Sequence, residues 1–173
     1  MFSLSYCHSV NSYFYKKLFM NNSHQFKAQL NWNLKEKPEN FKGRFYTKNH
    51  SISFDQKTDL KISAAKTFKG DPTLHNPEDL LLASLTSCHM MSFLYCCSVE
   101  NLEVLKYVDN SELILNVNSD GSGKITKAIL NPLVKFATEV EIVDLNLLHE
   151  KASKLCFIAN SCNFTIEVNP NLI

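Results

Sequence analysis

Six cysteines stand at positions 7, 88, 96, 97, 156 and 162 of the 173-residue chain, and thiol chemistry is the first possibility they raise. No pair has the C-x-x-C spacing, which argues against a zinc ribbon and against a thioredoxin-type redox motif. Cysteine chemistry here must therefore join residues far apart in sequence. Cys88 sits in Thr86-Ser87-Cys88-His89-Met90-Met91 and Cys156 in Leu155-Cys156-Phe157-Ile158-Ala159-Asn160. Each also reads as a small apolar filler, because free cysteine is among the most buried residue types. His89 adjoins Cys88 but points about 100° away around a helix, and His149 lies two turns before Cys156 on the same face. Both histidines read as hydrogen-bonded structural groups rather than bases.

The elements that must position these side chains follow from capping signals and periodicity. Asn76 is a helix cap, Pro77 fits the first helical position, and Glu78 and Asp79 face the positive end of the helix dipole. A helix starting at Pro77 carries Cys88 midway. Residues 80–99 hold no formal charge and are long enough to span hydrocarbon. Their internal Ser, Thr and His and the lack of flanking basic clusters favour a helix wrapped by other elements of a soluble protein. Asp144 reads as the cap of a second helix of about 16 residues running to Ala159, with Leu145, Leu148, Ala152 and Leu155 on its buried face. Alternation over residues 24–32, 45–54 and 59–64 gives three opening strands. Residues 104–118 and 124–138 form a hairpin around Ser119-Asp120-Gly121-Ser122-Gly123, with Pro132 marking an edge or a bulge, and residues 164–168 form a last strand. The order βββ-α-ββ-α-β is that of an α+β domain whose antiparallel sheets enclose or cover two helices.

Hydrophobic residues make up 45% and charged residues 20% of the chain, the balance of a folded globular protein rather than a disordered one. Residues 1–22 read as an N-terminal tail or extension and 23–173 as one domain. Lys16-Lys17 follows the apolar residues of that tail, the reverse of a secretory signal, and no arginine precedes Arg44 as in a transit peptide. A net charge of +1 provides no global field for nucleic acid or an anionic membrane. Reduced thiols in a cytoplasmic setting are the expectation.

Asn76-Pro77-Glu78-Asp79-Leu80-Leu81, with Leu85 and Thr86-Ser87-Cys88-His89-Met90-Met91, resembles the first motif of the OsmC/Ohr family of peroxide-reducing proteins. His149 and Cys156-Phe157-Ile158-Ala159-Asn160-Ser161 resemble that family's second cysteine region. The resemblance runs from about residue 23 to the C-terminus and is closer to the OsmC-like branch. It implies an intertwined homodimer and a thiol peroxidase in which Cys88 attacks a hydroperoxide and Cys156 resolves the sulfenic acid, with an external thiol such as a dithiol as reductant. No metal, flavin or haem is required. The residue chemistry agrees, since a thiolate that attacks a peroxide becomes a sulfenic acid that a second thiol captures.

A buried mid-helix thiolate needs a cation or hydrogen-bond donors. The family uses an arginine held by the glutamate of the Asn-Pro-Glu motif. Glu78 matches that glutamate, while Lys48 stands at the arginine's place, with Arg44 and His50 as alternatives. Lysine lacks the planar fork of arginine, so the exchange is not neutral. Ten helical residues place Glu78 about 15 Å from Cys88, so a site using both draws Glu78 from a partner subunit. Met91 and Phe157, with Met90 and Phe93, are candidates for an apolar peroxide pocket or for ordinary core. Cys96 and Cys97 read as packing, and Cys162 as an alternative resolver. A non-catalytic module binding a fatty-acid-like ligand is the competing function. Cys-His acyl transfer lacks a recognisable nucleophile-elbow motif.

Overall fold

The computed structural model describes residues 23–34 and 46–173. The tail over residues 1–22, with Cys7, and the alternative cation Arg44 lie outside them. Three short strands open the described chain: β1 (Gln29–Asn31), β2 (His50–Ser53) and β3 (Leu60–Ile62), paired antiparallel in that order. They are shorter than the alternation suggested, and all three residues of β1 are exposed.

A 3-10 turn (Lys66–Phe68) leads to helix α1 (Pro77–Val99). Its start matches the sequence reading. Asn76 Oδ1 accepts from Asp79 N at 2.9 Å and Asp79 Oδ2 accepts from Asn76 N at 3.1 Å, a reciprocal cap that satisfies two otherwise orphaned N–H groups.

The two arms of the expected hairpin each divide in two. The first becomes β4 (Val104–Asp109) and β5 (Glu112–Val117), the second β6 (Gly123–Leu130) and β7 (Pro132–Phe136). Both arms bend at the same level. Asp109 Oδ1 accepts from Asn131 N at 2.8 Å, and Asn131 Nδ2 donates to the Asn110 carbonyl at 2.9 Å. Pro132, which has no N–H to donate, opens the strand after the bend. Gly121, with φ of 85°, closes the turn between β5 and β6 in a conformation that suits glycine.

The bend sorts the strands into two sheets, β4-β7-β9 and β5-β6-β8. Within them β8 (Thr165–Val168) runs parallel to β6, and β9 (Asn171–Leu172) parallel to β7. The sheets are thus mixed rather than wholly antiparallel, because the chain returns from the helices alongside β6 and β7. β9 carries no sequence signal of its own.

The second helical region also departs from expectation. Helix α2 (Ile142–Leu155) begins after Glu141, with Asp144 inside its first turn rather than capping it. The helix does not run on to Ala159. It breaks at Cys156, whose ψ of 106° is extended, and resumes as α3 (Phe157–Ser161). Leu155 points outward, 45% exposed, while Leu145, Leu148 and Ala152 are buried as expected.

One face of α1 spans both sheets. Leu85 joins Ala128, Leu130 and Cys156 over β5-β6-β8, and Phe93, Cys96 and Cys97 join Val134, Phe136, Leu145, Leu148 and Ala152 over β4-β7-β9. Truncating Phe93 to Ala would cost about 3–5 kcal/mol. The opposite face is not wrapped, although α1 is apolar all round and long enough to cross a membrane. Met91, Leu94 and Val99 stay exposed because both sheets and α2 lie on one side of the helix.

Candidate functional site

Cys88 and Cys156 are brought together. Cys88 faces sideways from the middle of α1 and is half-buried. It packs against the cluster of Leu85, Ala128, Leu130 and Cys156. Cys156 is fully buried at the joint between α2 and α3. Its Sγ caps α3 by accepting from Ala159 N at 3.4 Å, and Cys88 packs against the cluster in which it lies. Burial, above all, pushes the Cys156 thiol up to about 11; the Ala159 N–H works against the shift and the contact with Cys88 adds to it. Both are free thiols. The break at Cys156 positions the sulfur, since turning the chain out of α2 directs that side chain inward while Phe157 points to solvent.

The remaining cysteines with described positions divide as their spacing suggested. Cys96 and Cys97 are core residues whose thiols are pushed up by burial, Cys97 to about 12. Cys162 is half-buried at the end of α3, its thiol raised by burial alone. The thiol contact belongs to Cys156.

Glu78 occupies the first turn of α1, and α1 is continuous to Val99, so the axial separation of about 15 Å from Cys88 holds within one chain. Its Oε2 is buried with no hydrogen-bond partner. It lines a cleft of about 590 Å³ with Phe68, Leu82, Ser111, Leu113 and Leu115, and Ser111 Oγ there is likewise buried and unpartnered. Lys48 is exposed in the segment before β2, and its Nζ donates to the Phe68 carbonyl. That bond sets Lys48 beside the turn that borders the Glu78 cleft, without an ion pair between them. The segment is fastened by Ser63, whose Oγ donates to Asn49 Oδ1 at 2.8 Å and accepts from Asp71 N at 3.0 Å. His50 Nδ1 pairs with the Lys48 carbonyl at 2.8 Å.

Met91 and Phe157 are 57% and 70% exposed, and neither lines this cleft. Phe93 is core. The two histidines are structural and buried, as expected, but they also meet each other: His89 Nε2 and His149 Nδ1 lie 2.9 Å apart. Their positions, one after Cys88 and seven before Cys156, are the only sequence trace of that pairing.

Mixed sheets around two packed helices, each delivering one cysteine to a shared contact, define an α+β protein of paired-thiol type. The chain belongs to the OsmC-like family: the family model described as OsmC-like protein matches residues 70–171, a span that includes Glu78, Cys88 and Cys156 but not Lys48. An OsmC-like protein of unknown function from Vibrio cholerae is 31% identical, with a TM-score of 0.75, over 87% of this chain and 100% of that one. Organic hydroperoxide resistance proteins share the fold at lower identity. The one from Elizabethkingia anophelis is 16% identical with a TM-score of 0.66, over 88% of this chain and 98% of its own. That from Legionella pneumophila is 16% identical with a TM-score of 0.67 over the same shares. No curated protein matches the sequence.

Proposed function

We propose that this chain is a thiol-dependent peroxidase that reduces organic hydroperoxides, and hydrogen peroxide with them, through Cys88 and Cys156. The contact between the two thiols carries the reading. The Cys88 thiolate attacks the outer oxygen of ROOH, the O–O bond breaks, ROH leaves with a proton, and Cys88 becomes a sulfenic acid. The sulfur of Cys156 then displaces the hydroxyl, which leaves as water with the Cys156 proton, and a disulfide forms. An external dithiol returns the pair to thiols by exchange and supplies the two electrons. The order of roles follows from exposure. Cys156 is sealed from solvent, and burial pushes its thiol up, which disfavours its thiolate.

The charged groups of the site come together in a homodimer. A second copy packed on the exposed Met91 and Leu94 face of α1 brings Glu78 of one chain toward Cys88 of the other. The unpartnered Glu78 Oε2 then receives the cation that Lys48 supplies from the rim of its cleft. The hydroperoxide resistance proteins that share the fold support the choice of substrate.

Reduced protein treated with one equivalent of tert-butyl hydroperoxide is expected to show a Cys88–Cys156 bridge by mass spectrometry and to release the alcohol. Unreacted thiols would overturn the proposal. They would favour instead a non-catalytic module that binds a fatty-acid-like ligand at the dimer interface, on the exposed apolar face of α1. An unaltered peroxide rate in Lys48→Ala would remove Lys48 from the site.

A further inference from the structure

Beyond the two sulfurs, the molecule buries a polar group that the peroxidase chemistry does not use. His89 and His149 are 1% and 2% exposed and joined by the Nε2 to Nδ1 hydrogen bond at 2.9 Å. The His149 ring also stacks on Phe93, with centroids 4.1 Å apart and planes 15° from parallel. Phe93 follows His89 by one helical turn, so two successive residues of one α1 face grip a single residue of α2. The same face continues through Leu85, which packs against Cys156. Along α2 the matching face runs Leu145, His149, Ala152 and then Cys156. The two helices therefore run antiparallel; His149 stands seven residues, about 10 Å, before Cys156 along α2, while His89 directly follows Cys88 on α1.

An apolar pair at this place would be the cheaper way to hold two helices. Burial pushes His89 down and His149 down to about 3, with His89 adding to the latter shift, and His149 Nε2 is left buried with no partner. A buried polar atom without a partner costs about 1–3 kcal/mol. What the pair gives in return is register. A hydrogen bond between imidazoles, unlike apolar packing, is satisfied at one height and one rotation of α2 on α1.

We propose that His89 and His149 form a positioning bridge that fixes the register of α1 against α2 and so holds Cys156 where it captures the oxidised Cys88. The inference rests on the two-cysteine reading, and neither histidine touches the reacting atoms. His149→Phe keeps the ring and its stack on Phe93 but removes Nδ1. His149→Asn restores a hydrogen-bonding atom at the place of Nδ1. His89→Met removes the same bond from the α1 side.

Two measurements on the full chain separate this role from general destabilisation. The first is the Cys88–Cys156 equilibrium against reduced and oxidised glutathione, with no peroxide present. The second is the time course after a single addition of tert-butyl hydroperoxide, with a dimedone trap for Cys88 sulfenic acid. His149→Phe and His89→Met are expected to lower the effective concentration of one thiol for the other about tenfold and to let trappable sulfenic acid accumulate. The rate of the first oxidation of Cys88 should change less than about twofold, and His149→Asn should recover most of the capture. Wild-type capture and equilibrium in either bond-deleting variant would overturn the bridge, as would a proportional loss of both steps. If peroxide leaves wild-type thiols untouched, the peroxidase reading fails, while the glutathione equilibrium still decides the bridge.

Discussion

Cys156 lies fully buried where α2 breaks, and from there its thiol reaches the half-buried Cys88 on α1. The relationship is asymmetric. One sulfur is half-buried, while the other is sealed among Leu85, Ala128 and Leu130 and accepts from the Ala159 N–H.

That asymmetry predicts different outcomes for the two serine variants. Cys156→Ser should still consume one equivalent of hydroperoxide and hold Cys88 as a dimedone-reactive sulfenic acid, with dithiol-supported turnover reduced at least about tenfold. Cys88→Ser should leave Cys156 reduced, since its thiol is sealed and raised to about 11. Oxidation of Cys156 in the absence of Cys88 would reverse the assigned roles.

How far the sequence reaches is clearest at the two ends of the cysteine-bearing helices. The start of α1 was legible because every part of its signal is local: the Asn76 cap, Pro77 at the first position, and Asp79 closing the reciprocal bond. The end of α2 was not. Apolar residues continue through Cys156, Phe157 and Ile158 at helical spacing, and the break arises from burying the Cys156 side chain against Leu85 and Leu130, residues distant in sequence. The division of the hairpin into two sheets has the same origin. It depends on Asp109 accepting from Asn131 N, a bond between residues 22 apart in sequence that no window along one strand contains. At the site, residue types were readable and partners were not. His89 and His149 each looked structural, yet nothing in either neighbourhood names the other.

The buried imidazoles make stability depend on pH in a defined direction. His149 is held down to about 3 by desolvation and by His89, against an ordinary value of 6.5 for the unfolded chain. A group neutral when folded stabilises fully above 6.5, and that contribution is lost as pH falls from 6.5 toward 3. Between pH 7 and pH 5 the loss from His149 alone is about 2 kcal/mol. The groups facing the pair are Tyr107, stacked obliquely on His149 at 6.3 Å, and Asp109, which pulls His89 upward against its desolvation. Urea unfolding at the two pH values should show the difference, and His149→Phe should flatten it. Equal stability at pH 7 and pH 5 in the wild type would contradict a neutral buried pair.

Gly70 offers a test of how the Lys48 segment is held near the Glu78 cleft. A Cβ built on it would lie 1.7 Å from the Ala64 carbonyl oxygen and 2.3 Å from the carbonyl carbon. Both are main-chain atoms in the segment that follows β3, and Gly70 N in turn donates to the Ala65 carbonyl at 3.2 Å, so neither side can yield without moving backbone. The turn that would move is Lys66–Phe68, whose Phe68 carbonyl receives Lys48 Nζ. Next to it Asp71 N is bound by Ser63 Oγ, which also holds Asn49 beside Lys48. Gly70→Ala should therefore cost about 1–3 kcal/mol, as overpacking does, and slow peroxide reduction more than Lys48→Ala alone, because it displaces the cation together with one wall of the cleft. The urea midpoint reads the first effect and single-turnover oxidation of Cys88 the second. A variant as stable as wild type would show that the backbone here accommodates a methyl group, and the close approach of Gly70 to Ala64 would then not be what fixes this turn.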